Sequence, residues 1–459
     1  MADLALELVL KATHGRQRGP AAPAVFQGVS TDTRSLARGA LFVALRGERF
    51  DGHDFVGAAL AKGAGAALVS RDVSATGPLI VVPDTLVALG EIAATHRATL
   101  TPRVVAVTGS TGKTSTKEMI ASVLSQGWRT ARTPGNYNNE IGVPLTLLSL
   151  DSSYEAAVVE LAMRGRGQIE YLARMARPQV GVITNAGVSH LELLGSREAI
   201  VEAKAELLAA LPADGVAVLN ADDDSFGVLA ERSPCRVMSF GSRSTAEVTA
   251  DEVVVNQDGS TGFRLRGRWG EERVSIPVGG RHHALNAAAA AAAAVAAGAD
   301  PAWIAAGLAS FAGAEQRTRI VRAAGGFTVI DDCYNAAPDS MRAALDLLED
   351  LPGERKWAVL GDMKELGPLA PEWHREVGEL AGTSGVAGLV TVGELGRFMA
   401  EGAREVLQGE QVIETQSNAG AAAALLALVG PGDVVLVKGS RAMAMEEVVA
   451  RLVEGVAHA

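Results

Sequence analysis

The stretch VVAVTGSTGKTSTK (104–117) combines glycines, a lysine and hydroxyl side chains in a pattern that can bind phosphate. Gly109 and Gly112 allow positive φ and a close approach of the backbone, and Lys113 supplies a positive charge. The helix expected from Thr114 offers free N–H groups at its positive end, and the Thr114 hydroxyl is available to Mg²⁺. The usual P-loop has a further glycine five residues before its second one, where this sequence has a valine. The segment is therefore a nucleotide-binding loop with a shortened glycine spacing.

The hydrophobic segment AAVVE (156–160) predicts a strand that ends in an acid, Glu160. Open parallel sheets bind their ligands at the carboxyl ends of the strands. A carboxylate there can hold the metal that accompanies a bound nucleotide. A lone glutamate after a strand is a weak signal, but its position after the phosphate loop makes Glu160 a candidate metal ligand.

The segment 185–208 places a lysine among apolar residues. On a helix starting near Ser196, Lys204 shares one face with Ile200, Val201, Leu207 and Leu208. A buried, unpaired ammonium is unfavourable, so Lys204 is expected to snorkel, to be ion-paired, to be neutral or to be chemically modified. The residues alone favour snorkelling. His190, in the preceding loop, is either a metal ligand or a structural histidine, and alone it favours the structural role.

The elements that must position these residues follow from an alternation of short β-branched segments with longer helical stretches. This alternation predicts parallel sheets with crossover helices. The clearest strand segments are 104–108, 179–184, 216–220 and 434–438. Shorter strand segments, at 41–45, 66–70 and 78–82, indicate a small separate α/β domain. Breaks near Pro102 and after ADPAWIAAGLASFAG (299–313) divide the chain into domains 1–100, 101–313 and 314–459.

The composition disfavours several functional classes. A net charge of −11 over 459 residues argues against nucleic acid or an anionic membrane surface as the main partner. The first fifteen residues carry two acids among their apolar positions, unlike a signal peptide, and the longest apolar run, 287–299, is shorter than the ~20 residues of a membrane span. With two cysteines no disulfide framework or thiolate metal cluster is expected, and the expected location is the cytoplasm.

These segments resemble the ATP-dependent Mur ligases, which share a fold with folylpolyglutamate synthases. TGSTGKTS (108–115) matches the family's TGxxGKT[ST], so the shortened spacing is the family's own. TPGNYNNEIGVPLT (133–146) is similar to its N-x-N-N-x-x-G-x-P segment, and NAGVSHLELLGS (185–196) to the loop with the metal-binding histidine. STDTRSLARGALFVALRGERFDGHDF (30–55) resembles its UDP-binding region, which folylpolyglutamate synthases lack. The resemblance implies a central P-loop parallel-sheet ATPase domain between a small N-terminal α/β UDP-binding domain and a Rossmann-like C-terminal domain.

One signature indicates a branch of the family. DDCYNAAPDSM (331–341) resembles the D-D-S-Y-N-A-N-P-x-S-M of members that join D-Ala-D-Ala to UDP-MurNAc-tripeptide. VLGDMKELG (359–367), His374 and KGSRAMAME (438–446) are also similar to that branch. The sequence departs from the family at Cys333 and Ala337, at Gln316 before Arg317, and at His283, where asparagine is usual.

The resemblance implies ATP-dependent amide-bond formation through an acyl phosphate in peptidoglycan synthesis, and hence roles in cell-wall biogenesis, cell shape and cell division. It implies two Mg²⁺ ions, one on Thr114 and Glu160 and one on His190 and a CO₂-derived carbamate of Lys204, so carbamylation replaces snorkelling as the expectation. The catalytic candidates are Lys113, Lys204, His190 and Glu160. The ATP-binding candidates are Gly109, Ser110, Thr111, Gly112, Lys113, Thr114, Ser115, Asn286 (adenine), Arg317 (phosphate) and Asp332 (ribose). The substrate candidates are Ser30, Arg34, Asn138, Asn139, Tyr334, Asn335, Lys438, Ser440 and Arg441.

Other classes of protein compete with this interpretation. The UDP-binding segment argues against a folylpolyglutamate synthase, and the 331–341 signature argues against other Mur ligases. Glu160, His190 and Lys204 together indicate a second metal site. A nucleotide-switched regulatory protein would not need one. The expected substrates are UDP-MurNAc-tripeptide and D-Ala-D-Ala. The protein is expected to be a monomer with no nucleic-acid partner and no membrane insertion. The third peptide residue stays open among diaminopimelate, lysine and ornithine. Domain closure is expected to bring Arg317 and Asp332 to the phosphate loop.

Overall fold

The computed structural model describes residues 3–188, 191–314 and 316–455. Over these ranges the chain forms three successive α/β units, each built around its own main sheet. The expected three-domain α/β class is confirmed, and most neighbouring strands are parallel. No helix within these ranges is long and apolar enough to cross a membrane.

The N-terminal unit contains a five-stranded sheet of order β2-β7-β6-β5-β4 and a two-stranded β1-β3 ladder. Its elements are β1 (Asp3–Ala5), α1 (Leu6–Thr13), β2 (Arg16–Arg18), β3 (Val25–Gln27), β4 (Val29–Ser30), β5 (Leu41–Val43), α2 (Val56–Ala61), β6 (Ala66–Val69), β7 (Leu79–Val81) and α3 (Thr85–Ala98). The predicted segments 41–45, 66–70 and 78–82 correspond to β5, β6 and β7, each one or two residues shorter than predicted. This difference is the usual uncertainty of element ends.

The central unit is built on a nine-stranded sheet of order β16-β15-β14-β13-β12-β11-β8-β10-β9. Its strands are β8 (Arg103–Thr108), β9 (Thr130–Arg132), β10 (Ala156–Glu160), β11 (Val180–Ile183), β12 (Val216–Asn220), β13 (Arg236–Gly241), β14 (Val248–Val255), β15 (Thr261–Gly267) and β16 (Gly270–Ile276). Its helices are α4 (Lys113–Leu124), α5 (Gly142–Leu148), α6 (Gln168–Ala176), α7 (Leu191–Leu194), α8 (Arg197–Ala209), α9 (Phe226–Glu231), α10 (His282–Ala296) and α11 (Trp303–Ala309). The parallel strands β8 to β13 connect through helices, as the alternation predicted.

The edge formed by β14, β15 and β16 is antiparallel and was not predicted. Along β15 buried residues alternate with half-buried ones, so one face packs on the core and the other faces outward. The alanine-rich helix α10 covers this part of the sheet and α4, and its small side chains allow close packing with almost no exposed surface.

The C-terminal unit has a six-stranded sheet of order β17-β18-β22-β19-β20-β21, in which only the β17-β18 pair is antiparallel. Its elements are β17 (Arg319–Arg322), β18 (Thr328–Asp331), α12 (Pro338–Asp350), β19 (Lys356–Gly361), α13 (Ala370–Thr383), β20 (Gly388–Val392), α14 (Gly396–Ala403), β21 (Val412–Thr415), α15 (Asn418–Leu426), β22 (Val434–Lys438) and α16 (Glu446–Glu454). Short 3₁₀ helices cover Gly52–Phe55, Gly367–Leu369, Gly409–Gln411 and Arg441–Met443.

Three adjacent strands of the central sheet determine where the site forms. β8 lies between β10 and β11, and all three run parallel. Their carboxyl ends therefore carry the phosphate loop, Glu160 and the loop that leads to α8 to one edge of the sheet. This is the edge at which open α/β sheets bind ligands.

Candidate active site

The two glycines of the phosphate loop occupy positions that other residues cannot take. Gly109 has a φ of 150° and Gly112 a φ of 78°. A Cβ atom on Gly109 would collide with the hydroxyl of Thr184, and one on Gly112 would lie 2.5 Å from Asn286 Oδ1. The loop therefore lies close to both β11 and α10, and the predicted need for glycine has a direct steric cause.

Lys113 begins α4 and folds back over its own loop. Its ammonium donates hydrogen bonds to the carbonyl oxygens of Gly109 at 2.7 Å and Ser110 at 3.2 Å. Burial lowers the pKa of Lys113 to about 8; nearby Glu160 opposes this shift and Arg317 adds to it. Arg317 belongs to the segment entering the C-terminal unit, so the two units bring their cations close to one another.

Asn185, at the carboxyl end of β11, fills the loop where phosphate oxygens are expected. Its Oδ1 atom accepts hydrogen bonds from the backbone N–H groups of Ser110 at 3.1 Å and Thr111 at 3.0 Å. Its Nδ2 atom donates to the Thr111 hydroxyl at 2.8 Å. These N–H groups are the donors that a phosphate-binding loop presents to its ligand. Asn185 was not among the predicted site residues, although its position directly after a central strand was a usable signal. Thr114 lies half-buried in the first turn of α4, and Ser115 is buried.

Glu160 is 1% exposed at the end of β10, as its strand predicted. Its Oε1 atom accepts a hydrogen bond of 2.7 Å from Asn138 Nδ2. Its Oε2 atom is buried and has no hydrogen-bond partner in the part of the chain that the structure describes. Lys117 Nζ lies 3.8 Å from this oxygen. A buried carboxylate oxygen with a free lone pair is well suited to a cation.

Lys117 is a buried lysine that the sequence analysis passed over. Its ammonium donates to the carbonyl oxygens of Thr133 at 2.8 Å and Gly135 at 3.2 Å, and Glu118 lies 3.0 Å away. The phosphate-loop helix is thereby tied to the segment that carries Asn138. Asn139 uses its side-chain oxygen to accept from the N–H groups of Ile141 at 3.2 Å and Gly142 at 2.9 Å, which caps α5.

Lys204 lies on α8, whose start is capped by Ser196 accepting from Ala199 N. The side chain is 1% exposed, so snorkelling, the expectation from the residues alone, is wrong. Among residues 3–188, 191–314 and 316–455 its ammonium has no hydrogen-bond or ion-pair partner. Burial, reinforced by the charge of Lys113 and opposed by Asp223, holds the pKa of Lys204 well below its usual value. His190 lies outside the described residues.

Predicted residues of the C-terminal unit contact one another beside β18, and Lys438 and Thr318 bind the carboxylate of Asp332. Its Oδ1 atom accepts from the N–H of Thr318 at 3.1 Å and its Oδ2 atom from Lys438 Nζ at 2.6 Å. Lys438 also donates to the carbonyl oxygen of Asn335 at 2.9 Å. The guanidinium of Arg317 stacks 4.1 Å from the ring centroid of Tyr334.

Ser440 and Arg441 follow β22 and lie beside this cluster. The Ser440 hydroxyl accepts from the N–H of Lys364 at 2.8 Å, and Arg441 donates to Gln316 Oε1 at 3.1 Å. The loop after β19 is itself held by His374, whose Nε2 accepts from the N–H of Met363 at 2.9 Å. His374 therefore supports the loop that contacts Ser440.

Ser30 and Arg34 lie apart from the other candidates, in the N-terminal unit. The Ser30 hydroxyl donates to the carbonyl oxygen of Asp32 at 3.0 Å, and Arg34 pairs with the Asp32 carboxylate at 2.7 Å. The side-chain and backbone hydrogen bonds from Arg34 lower the pKa of Asp32 to about 2. Within the described ranges the side-chain hydrogen bonds of Ser30 and Arg34 stay inside this turn.

The C-terminal unit is docked against the central one. Arg281 pairs with Asp350 at 2.8 Å, and the N–H of Glu192 donates to the Glu365 carbonyl at 3.3 Å. The carboxylate of Asp339 lies where a Cβ atom on Gly187 would be, beside the phosphate loop. These contacts place the C-terminal unit beside the phosphate loop. No group of three or more His, Cys, Asp and Glu side chains that could hold a metal occurs among the described residues.

Comparison with known proteins covers nearly the whole chain. Three family models match it: "Mur ligase family, catalytic domain" over residues 25–97, "Mur ligase middle domain" over 107–294, and "Mur ligase, glutamate ligase domain" over 316–441. The UDP-N-acetylmuramoyl-tripeptide–D-alanyl-D-alanine ligase of Escherichia coli (strain K12) is 40% identical over 462 residues, covering 99% of each chain. A crystal structure of MurF from Acinetobacter baumannii superposes with a TM-score of 0.91 at 35% identity, covering 99% of each chain. A MurF ligase from Thermotoga maritima in complex with ADP superposes with a TM-score of 0.81 at 30% identity, covering 93% of this chain and 96% of that one.

Proposed function

This chain belongs to the Mur ligase family of ATP-dependent amide-bond-forming ligases, and we propose that it joins D-Ala-D-Ala to UDP-MurNAc-tripeptide. The products are UDP-MurNAc-pentapeptide, ADP and phosphate, a step of peptidoglycan synthesis that serves cell-wall biogenesis, cell shape and division. The observation that carries the chemistry is the buried Lys204, which has no hydrogen-bond or ion-pair partner among the described residues and lies within electrostatic reach of Lys113. A protein that only hydrolyses a nucleotide has no use for such a lysine beside its phosphate loop.

The first step transfers the γ-phosphoryl group to the terminal carboxylate of the tripeptide. A carboxylate oxygen attacks the γ-phosphorus, the bond to the β-phosphate oxygen breaks, and ADP leaves. Both reactants are anions, so catalysis depends on neutralising charge while aligning the attack. Lys113 supplies a positive charge once it exchanges the Gly109 and Ser110 carbonyls for phosphate oxygens. The N–H groups of Ser110 and Thr111 become phosphate donors when Asn185 releases them.

The second step forms the amide. The amine of D-Ala-D-Ala attacks the carbonyl carbon of the acyl phosphate, phosphate leaves, and the nitrogen gives up a proton to solvent or a base. Tyr334, Asn335, Lys438, Ser440 and Arg441 are proposed to face the dipeptide and the transferred phosphate. The mutual contacts of Asp332, Lys438 and Asn335 support this assignment, since they hold the groups in one place.

Two Mg²⁺ sites are part of the proposal. Thr114 and Glu160 would hold one ion, since Glu160 Oε2 is a buried oxygen without a hydrogen-bond partner among the described residues. His190 and Lys204 would hold the other, with Lys204 as a carbamate; its depressed pKa favours the neutral amine that adds CO₂ and loses a proton. Mg²⁺ bound there would neutralise the negative charge of the phosphates and of the acceptor carboxylate.

The remaining assignments divide the substrates among the domains. We propose that domain 1–100 binds the UDP group through Ser30 and Arg34, that domain 101–313 binds ATP, and that domain 314–459 binds the dipeptide. Asn286 is assigned to adenine, Asp332 to the ribose, Arg317 to the phosphates, and Asn138 and Asn139 to orienting the acceptor. The position of Asn286 on α10, beside Gly112 of the phosphate loop, supports its assignment to the nucleotide. The protein is proposed to act as a monomer in the cytoplasm, where ATP is available.

Phosphate release tests the proposal when each component is omitted in turn. Purified protein with Mg²⁺, ATP, UDP-MurNAc-tripeptide and D-Ala-D-Ala is expected to release phosphate only when all of them are present. Mass spectrometry is expected to find the UDP-linked pentapeptide in the same mixture. Phosphate release that is indifferent to both acceptor and dipeptide would instead indicate a nucleotide-switched protein.

A further inference from the structure

A side-chain contact joins α10 of the central unit to the entrance of the C-terminal unit. The Nε2 atom of His283 lies 2.9 Å from the Oγ1 atom of Thr318, and both residues are buried. Thr318 directly precedes β17, at the end of the segment that follows α11. The contact therefore joins two buried side chains from different units of the chain.

The backbone around Thr318 is strained. Thr318 has a φ of 50° and Gln316 a φ of 55°, so a left-handed residue stands on each side of Arg317. A β-branched residue rarely adopts this conformation, because its Cβ substituents crowd the backbone. Such strain persists only where surrounding groups fix it, and it is typical of functional sites.

Two hydrogen bonds fix Thr318 in this conformation. Its N–H donates to Asp332 Oδ1 at 3.1 Å, and its hydroxyl pairs with His283. On another side, residues 316–318 line a cavity of about 700 Å³ together with 277–279 of the central unit. Packing therefore does not hold the segment from that direction, and the bond to His283 is its side-chain anchor on the central unit.

His283 is itself firmly placed. It is 2% exposed, its ring centroid lies 4.1 Å from that of His282, and Phe311 packs nearby. Burial holds the pKa of His283 well below its usual value, so the imidazole is neutral near pH 7. One turn along the same helix, Asn286 lies against Gly112. The N-terminal half of α10 thus contacts the phosphate loop through Asn286 and the strained segment through His283.

We infer that His283 is a positioning residue that holds Thr318, and through it sets Arg317 and Asp332 in the geometry that receives ATP. The roles of Arg317 and Asp332 rest on the proposed function. The link from His283 through Thr318 to Asp332 consists of two hydrogen bonds in the unliganded protein. Loss of the hydrogen bond between His283 and Thr318 would weaken ATP binding without affecting the distant N-terminal unit.

Matched substitutions separate the hydrogen bond from packing. Thr318→Val removes the hydroxyl and keeps the branched shape, whereas Thr318→Ser keeps the hydroxyl. His283→Leu removes the ring nitrogens, whereas His283→Gln places an amide near the position of Nε2. The double variant His283→Leu/Thr318→Val measures whether the two side chains act as one unit.

Two readouts test the inference independently of ligation. In the ligand-free protein, hydrogen exchange of the Thr318 amide is expected to quicken about tenfold in Thr318→Val and in His283→Leu, as for a lost buried hydrogen bond. The dissociation constant for ADP, measured by calorimetry, is expected to rise about tenfold in the same variants, with little change in Thr318→Ser and His283→Gln. The double variant is expected to match the single ones.

Steady-state kinetics then distinguish positioning from general destabilisation. The KM for ATP is expected to rise about tenfold while the KM for UDP-MurNAc-tripeptide stays unchanged, because a destabilised protein would lose active enzyme and not nucleotide affinity. If the wild type forms no amide, the proposed function fails, while exchange and ADP binding still decide the role of His283. Unchanged exchange and ADP binding in Thr318→Val, or effects that multiply in the double variant, would overturn the inference.

Discussion

Replacing Lys204 with methionine is expected to make the protein more stable while abolishing its activity. Methionine keeps an unbranched side chain, one heavy atom shorter, and removes the buried ammonium, which has no hydrogen-bond or ion-pair partner among the described residues. Ile200, Leu207 and Leu208 on the same helix are buried around it, so an apolar side chain suits the position. The lysine is therefore unfavourable for folding, and its presence requires a functional explanation.

The size of the effect follows from the cost of burying a charge. Each unit by which burial depresses the pKa of a lysine corresponds to about 1.4 kcal/mol at a pH where the unfolded chain is protonated. Replacing buried charged groups by apolar side chains commonly stabilises a protein by about 1–4 kcal/mol. We expect the same range for Lys204→Met near pH 7. For a domain of about 200 residues, 1 kcal/mol shifts Tm by about 2–4 °C.

The pH dependence has a definite sign. The folded protein gives up the proton of Lys204 at a lower pH than the unfolded chain, whose lysine pKa is about 10.4. The unfolded state therefore binds more protons between these two values, and wild-type stability rises with pH in that window. The advantage of Lys204→Met is expected to be largest near pH 7 and to disappear as the pH approaches about 10.4.

Thermal unfolding of both proteins in CO₂-free buffer, at neutral and at alkaline pH, measures this difference, and phosphate release measures activity. Lys204→Arg serves as a control that keeps a positive charge and is expected to be both less stable than the wild type and inactive. An active Lys204→Met variant would refute the catalytic role of Lys204. A variant less stable than the wild type at neutral pH would refute the reasoning about its burial.

Three further expectations concern the phosphate loop. Gly112→Ala places a Cβ 2.5 Å from Asn286 Oδ1 at a φ of 78°. We expect a backbone cost of about 1–2 kcal/mol and a loss of ADP binding, which calorimetry measures. Unchanged ADP affinity would contradict the loop geometry. Lys117→Met removes the ammonium that lies 3.8 Å from Glu160 and binds the Thr133 and Gly135 carbonyls. Destabilisation of about 3–5 kcal/mol and faster hydrogen exchange of residues 133–139 are therefore expected. Unaltered exchange of those residues would exclude this anchoring. The pKa of Lys113 is about 8, and phosphate binds its protonated form. ADP affinity is therefore expected to fall as the pH rises above 8, by up to about tenfold per pH unit. Constant affinity from pH 7 to 10 would show that Lys113 does not lose its proton in that range.

The sequence predicted those parts of the fold and site that depend on local pattern. The segments 156–160, 216–220 and 434–438 form strands with the predicted ends, because continuous β-branched runs are typical of strands buried on both faces. The helical spacing around Lys204 correctly placed it on a buried face. It could not show that the whole side chain is enclosed, because that depends on what packs against α8.

The features that were missed depend on residues distant in the chain. Asn185 reaches the N–H groups of Ser110 and Thr111 because β11 and β8 are neighbours, a pairing that no local pattern encodes. The contact of His283 with Thr318 requires the C-terminal unit to dock on the central one. The antiparallel strands after β13 were also missed, and in β14 the register shifts between Asp251 and Val254, which interrupts its alternation.

Transfer of labelled oxygen tests the central claim most directly. UDP-MurNAc-tripeptide carrying ¹⁸O in its terminal carboxylate would be incubated with ATP, Mg²⁺, D-Ala-D-Ala and the protein, and the released phosphate analysed by mass spectrometry. If the carboxylate attacks the γ-phosphorus and the amine then displaces phosphate, each phosphate is expected to carry one oxygen from the tripeptide. Released phosphate without the label, whether or not amide is formed, would contradict ligation through an acyl phosphate.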